Sequence, residues 1–298
     1  DPHRPFAGSR GEEAQEQKRG RQFPAPAQVY RPEEVTVPGF LPDIPGVREE
    51  MSHYYTSARR CDETLGAVIR ALDEAGVSED TCVTFLSDNG ISQPFAKTNC
   101  YLSSTRTPWL VRWPGQVPMG VVDHEHMISG IDYASTVLEA ANLEPMQGVD
   151  GHSFLPVLRG KSQQGRDLLL TCMNQTSAKR DYPMRCLMTR RFGYIFNAWS
   201  DGKTEFQNEP CGGMAFAAMR EAAETDEAIA ARVRFFKLRV PEEFYDFQKD
   251  PCALNNLIDE PALSEEISTL RRRLHQIMRT TQDPLADIFE TRVVFGNR

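Results

Sequence analysis

The feature that most constrains this chain is a long amphipathic stretch followed by a short apolar one. Met51, Tyr54, Tyr55, Ala58, Cys61, Leu65, Val68, Ile69 and Leu72 recur at steps of three and four residues, the period of one helix face. The spacing predicts a helix over residues 47–75, with Gly76 just past its end as a C-terminal cap. Thr81-Cys-Val-Thr-Phe-Leu86 is short, apolar and β-rich; it reads as a buried parallel strand, with Cys82 in the core, that stops at Ser87-Asp88-Asn89-Gly90. Helix, short loop, apolar strand, then polar residues at the strand's carboxyl end is the rhythm of an α/β domain.

The rest of the chain follows from punctuation. Residues 7–47 are rich in Gly, Pro and charge and read as a surface excursion. Pro108–Trp113 reads as a second strand, stopped by Pro114-Gly115, and Asp132 as the cap of a helix over Tyr133–Ala141. Gly151–Pro156 and Gly160-Lys161 break the pattern, which sets a boundary near residue 160. Residues 1–160 are expected to form an α/β portion with a mixed sheet flanked by helices. Residues 161–298 are expected to form a small α+β subdomain. Its antiparallel strands would lie over Asp167–Met173, Arg185–Thr189 and Arg191–Ala198, with helices over Glu209–Arg234 and Ala262–Thr280 packed on them.

Composition excludes some functions. The 34 basic and 42 acidic side chains give a formal charge of −8, which argues against a nucleic-acid partner. No run approaches the ~20 apolar residues of a membrane span, and residues 1–30 hold no apolar signal-peptide core. The seven cysteines are odd in number, scattered and without a CxxC pair, which excludes a zinc ribbon and disfavours a disulfide scaffold.

The groups suited to chemistry are few. Asp88 and Asn89 stand at a strand's carboxyl end, where α/β sheets collect ligands, and offer a carboxylate and an amide oxygen to a hard divalent cation. Asp-Asn-Gly is equally good turn chemistry, and two ligands fall short of the roughly six to eight that Ca²⁺ takes. Lys97, leaving the same strand end, could meet an anion held there, or be a solvated loop lysine. His3 lies between prolines, framed by Asp1 and Arg4; a histidine there suits proton transfer or a structural turn. Asp123-His-Glu-His126 has metal-like letters but reads as a solvated loop, and His152 reads as packing. Asn174-Gln-Thr176 is a glycosylation sequon, meaningful only in a secreted eukaryotic protein.

Taken in order, these pieces resemble the formylglycine-dependent sulfatases of the alkaline phosphatase superfamily. The resemblance rests on Asp1-Pro-His-Arg-Pro-Phe6, the helix through Tyr55 and Gly66, Thr84-Phe-Leu-Ser-Asp-Asn-Gly90 with Lys97, and Pro108–Gly115. It continues through Ile131-Asp132, Asp150–Pro156, Glu243-Phe-Tyr-Asp246, Asp250-Pro251 and Asn256-Leu257. Asp1–Arg4 and Tyr182-Pro-Met-Arg185 look closest to the heparan N-sulfatase (sulfamidase) branch.

The resemblance implies roles. Asp88 and Asn89 would hold Ca²⁺, with Mg²⁺ as the alternative; Lys97 and His3 would contact the sulfate, His3 also protonating the leaving group; Asp1 would help select the sugar. It implies a hydrolase acting on a sulfated saccharide, with N-sulfoglucosamine of heparan sulfate as the finer expectation, in the periplasm, lysosome or outside the cell. Alternatives are a phosphoesterase or phosphonate hydrolase of the same superfamily, or a non-catalytic saccharide-binding protein. Oligomerisation stays open. The family's C/S-x-P-x-R nucleophile motif and its two N-terminal aspartates are not matched, and Cys186-Leu-Met-Thr-Arg190 lacks the central proline. The expectation is therefore a C-terminal part of a longer sulfatase, inactive alone, with formylglycine on a preceding segment.

Overall fold

A computed structural model describes residues 25–296. Helix α1 spans Pro45–Glu74, close to the predicted range, and begins on a proline whose fixed φ suits the first helical turn. It ends in a paired cap: Gly76 N donates to Asp73 O and Val77 N to Leu72 O, with Gly76 in the left-handed region at φ +70°. Strand β1, Val83–Leu86, follows and pairs with β2, Trp109–Arg112.

That pairing corrects the expectation of a buried parallel strand. β1 and β2 run antiparallel, with Val83 opposite Arg112 and Leu86 opposite Trp109. Cys82 is exposed, not core. A four-residue apolar run specifies neither its neighbour's direction nor how many neighbours cover it. The short helix α2, Leu102–Thr105, lies between the two strands in sequence. Helices α3, Asp132–Ala140, and α4, Leu155–Leu158, follow β2.

Four strands build the second sheet: β3 (Leu168–Gln175), β4 (Asp181–Thr189), β5 (Phe192–Asn197) and β6 (Glu242–Asp246), in that order and all antiparallel. The first three match the predicted strands; β6 was legible only as part of a motif. Strand alternation sends neighbouring side chains to opposite faces. Leu187, Tyr194 and Phe244 face one cluster with Ile267, Leu270, Leu274 and Met278 of helix α7, which spans Ser264–Thr280 and is followed by α8 (Ala286–Phe289). Cys186, Ile195 and Tyr245 face the other cluster.

That other face is covered by α5 (Met214–Ala222), α6 (Glu227–Leu238) and residues 95–101 of the α/β portion. The single helix predicted over Glu209–Arg234 is therefore two. The break falls at Asp226, whose carboxylate accepts from Ala228 N and Ile229 N and so starts α6 afresh. A 3-10 turn over Glu209–Gly212 precedes them. No helix among the described residues is long and apolar enough to cross a membrane.

Candidate active site

The end of β1 is locked to the backbone beside it. Ser87 N donates to Pro108 O at 3.2 Å, and Gly90 N donates to Ser104 O at 2.8 Å. A Cβ at Gly90 would fall 1.9 Å from Ser103 O, so only glycine permits this approach to α2. The segment is thus a braced corner rather than a free turn. Asp88 Oδ1 accepts from Asn89 N, and Asn89 Nδ2 donates to Gly90 O at 2.7 Å, which turns the amide oxygen the opposite way. Both side chains line an open cleft of about 1840 Å³.

Lys97 lines the same cleft. It is delivered by a loop with a buried body: Ser92, Gln93, Phe95, Ala96 and Asn99 are all at most 6% exposed. Phe95 and Thr98 sit at φ 68° and 56°, a conformation that side-chain-bearing residues adopt only when their surroundings enforce it. The surroundings are visible. Lys97 O accepts from Asn99 Nδ2 at 2.8 Å and from Asn208 Nδ2 at 3.0 Å, and Asn208 Nδ2 also donates to Thr98 Oγ1 at 2.8 Å. The Lys97 ammonium lies 2.7 Å from Glu209 Oε2.

Deeper in, Arg239 donates to Asn99 Oδ1 at 2.6 Å and to Tyr101 Oη at 2.8 Å. Tyr101 and Tyr245 both donate to Glu243 Oε2, and Asn197 donates to Glu243 Oε1. Burial pushes the Tyr101 and Tyr245 phenols far above their ordinary range, so both remain hydrogen-bond donors. The Phe95 ring has the Arg232 guanidinium at 3.6 Å and that of Arg239 at 5.1 Å. Asn208, Glu209, Arg239 and Glu243 were not picked out as site residues from the sequence. Only Glu243 carried a signal, as a charged residue opening a matched strand motif.

The other candidates separate cleanly. Asp1 and His3 lie outside the described residues. His126 Nδ1 lies 2.8 Å from Asp123 Oδ2, and Gln163 N, from a distant segment, donates to His126 Nε2 at 3.0 Å, so both ring nitrogens are used within the protein. Burial raises the Asp123 carboxyl, but hydrogen bonds from His126 and Glu125 outweigh it and leave it below the usual range. Asp132 opens α3 at its first helical residue, with Ile131 as the cap, rather than capping it. Its carboxylate instead accepts from Ser129 N, His152 N and Arg166, tying the Asp150–Pro156 segment down through the backbone. Asn174 Oδ1 accepts from Arg185. Cys186 is fully buried in β4, where burial pushes its thiol well above the ordinary value; it is no nucleophile.

Among the described residues no group of three His, Cys, Asp or Glu side chains gathers as a metal cage. Asp88 and Asn89 nevertheless fit a hard cation by donor chemistry: one carboxylate, one amide oxygen turned away from its internal bond, on a braced corner. They would form part of a ligand set.

Solved structures place the fold. BT4656, solved in complex with its substrate D-glucosamine-2-N,6-O-disulfate, superposes with a TM-score of 0.57 at 17% identity, over 80% of this chain and 42% of that one. The phosphonate monoester hydrolase of Silicibacter pomeroyi gives 0.57 at 19% identity, over 84% and 45%. The molecule is thus an α/β protein of the alkaline phosphatase-like fold. The sequence narrows this. A family model described as sulfatase matches residues 1–143, and one described as N-sulphoglucosamine sulphohydrolase, C-terminal, matches residues 90–198. Human N-sulphoglucosamine sulphohydrolase is 29% identical over 271 residues, 86% of this chain and 53% of that protein. An ulvan-active sulfatase of Formosa agariphila is 24% identical, over 87% and 43%. Across residues 1–198 the chain is similar to the sulfatases. It spans about half the length of the curated relatives it matches.

Proposed function

We propose that this chain carries part of the active site of a sulfuric ester or sulfamate hydrolase that releases sulfate from a sulfated saccharide, N-sulfated glucosamine being the finer reading. The observation that carries this is the convergence of Asp88, Asn89 and Lys97 on one cleft. The finer reading is supported by the match of residues 90–198 to the N-sulphoglucosamine sulphohydrolase C-terminal model.

In this reading Asp88 and Asn89 contribute oxygen ligands to Ca²⁺ or Mg²⁺, which when bound supplies positive charge to the sulfuryl oxygens. Lys97 adds a cationic donor at the same anion, held in place by its buried loop. His3 contacts the sulfate and gives a proton to the leaving group, while Asp1 helps select the sugar. The nucleophile, a formylglycine, would be supplied by a preceding segment: no cysteine or serine here stands in a C/S-x-P-x-R motif, and Cys186, with an arginine at the matching spacing, is buried.

A phosphonate monoester hydrolase shares the fold, so the test must separate the two. The protein, expressed with the sequence that precedes residue 1 in its gene, is assayed on N-sulfoglucosamine, an aryl sulfate and an aryl phosphonate monoester. Sulfate release dominating over phosphonate cleavage is expected. Efficient phosphonate cleavage without sulfate release would overturn the reading.

A further inference from the structure

We infer that Glu209 is the positioning residue for Lys97, and that its carboxylate tunes how tightly the cleft holds an anion. The inference rests on the reading of Lys97 as an anion contact and extends it to a residue in the second half of the chain.

Two consecutive side chains, Asn208 and Glu209, grip one segment. Asn208 Nδ2 bonds both Lys97 O and Thr98 Oγ1, while Glu209 Oε2 takes the Lys97 ammonium at 2.7 Å. Asn208 is itself held, its Oδ1 lying 3.3 Å from Cys211 Sγ. Pro210 follows at the start of the 3-10 turn, with φ restricted by its ring. The grip is needed because Thr98 sits at φ 56° and because a lysine has four rotatable bonds. With side-chain exposures of 20% and 30%, Lys97 and Glu209 form a pair only partly screened by water.

An ammonium has three N–H donors. Glu209 uses one and fixes the head group, leaving two for an incoming anion. The same carboxylate repels that anion. Glu209 thus orients Lys97 at some cost in anion affinity, a balance suited to a site that must release its sulfate. Gln at position 209 keeps an acceptor for the ammonium and removes the repulsion; Ala removes both.

The experiment titrates residues 1–298 with inorganic sulfate by calorimetry at constant ionic strength, comparing wild type with E209Q, E209A, K97M and the K97M/E209Q double variant. Circular dichroism melts check that each is folded. Expected are sulfate binding about fivefold tighter in E209Q, from the range of a partly exposed charge pair, weaker binding in E209A than in E209Q, loss of binding in K97M, and no gain in the double variant. Loss in K97M together with E209Q no tighter than wild type would overturn the role of Glu209 alone. Unchanged binding in K97M would overturn the anion role of Lys97, and Glu209's role with it.

Discussion

Tyr101 and Glu243, 142 residues apart along the chain, meet with the phenol oxygen 2.7 Å from Glu243 Oε2, and Glu243 is wholly buried. Through Tyr101 the carboxylate is linked to Arg239, and Arg239 reaches Asn99, two residues from Lys97. The sheet of the second half of the chain thereby sets the loop that carries the cationic side chain of the cleft.

Glu243→Ala leaves three donors, from Tyr101, Tyr245 and Asn197, without an acceptor, and removes the buried negative charge that Tyr101 links to Arg239. Breaking a buried charged network in this way costs roughly 3–5 kcal/mol. Urea denaturation should show that loss, with Glu243→Gln falling between wild type and Ala. An unfolding midpoint within error of wild type in the Ala variant would contradict it.

Gly90→Ala places a methyl 1.9 Å from Ser103 O, a clash with backbone rather than with a mobile side chain. Overpacking of this kind costs about 1–3 kcal/mol. The melting temperature should fall by several degrees, and the Asp88–Asn89 corner should lose its register against α2. Calorimetry checks the first consequence and exchange of the residue-90 amide, which donates to Ser104 O, the second.

In the proposed reading, Asp88→Ala removes the charged member of the Ca²⁺-ligand pair. Ca²⁺ affinity, measured by isothermal titration on the complete enzyme, should fall by at least tenfold, a drop of ~1.4 kcal/mol or more, and activity should disappear. Unchanged affinity would remove Asp88 from the ligand set.

Burial raises the Glu50 carboxyl above its ordinary 4.5, against the pull of a hydrogen bond from Ala215 N. The folded state therefore keeps its proton at pH values where the unfolded chain has already lost it, so this group costs stability as pH climbs from about 4.5 through its raised value. Glu50→Gln cannot ionise and so escapes that cost. Its stability advantage over wild type should grow between pH 4.5 and pH 7, read from urea curves at each pH; an advantage constant with pH would refute the sign.

Residues 1–298 alone should release no sulfate from an aryl sulfate or from N-sulfoglucosamine, even with Ca²⁺. No cysteine or serine of the sequence stands in a C/S-x-P-x-R motif, and Cys186, the one cysteine with an arginine at that spacing, is shut inside β4. A covalent route without its nucleophile has no reaction path. Turnover of roughly 1–10³ per second would show otherwise.

Much of this was legible in the sequence, for a definite reason. Helix α1 and its glycine stop, the strand ending at Asp88-Asn89, and the first three strands of the second sheet depend on period and local turn chemistry, which neighbouring residues encode. The dismissal of Cys186 and of Asp123–His126 also followed from local context. Tertiary structure alone decided the rest. That β1 runs antiparallel to β2 depends on a partner beyond α2. That one predicted helix is α5 and α6 was, by contrast, a local signal the sequence reading passed over, the Asp226 N-cap. That Lys97 is met by Glu209, and Tyr101 by Glu243, depends on chain segments brought together only when both faces of the four-stranded sheet are covered. Periodicity reports which face of an element is buried, but not what lies against it; a buried charge finds its partner by packing, and packing is a property of the whole chain.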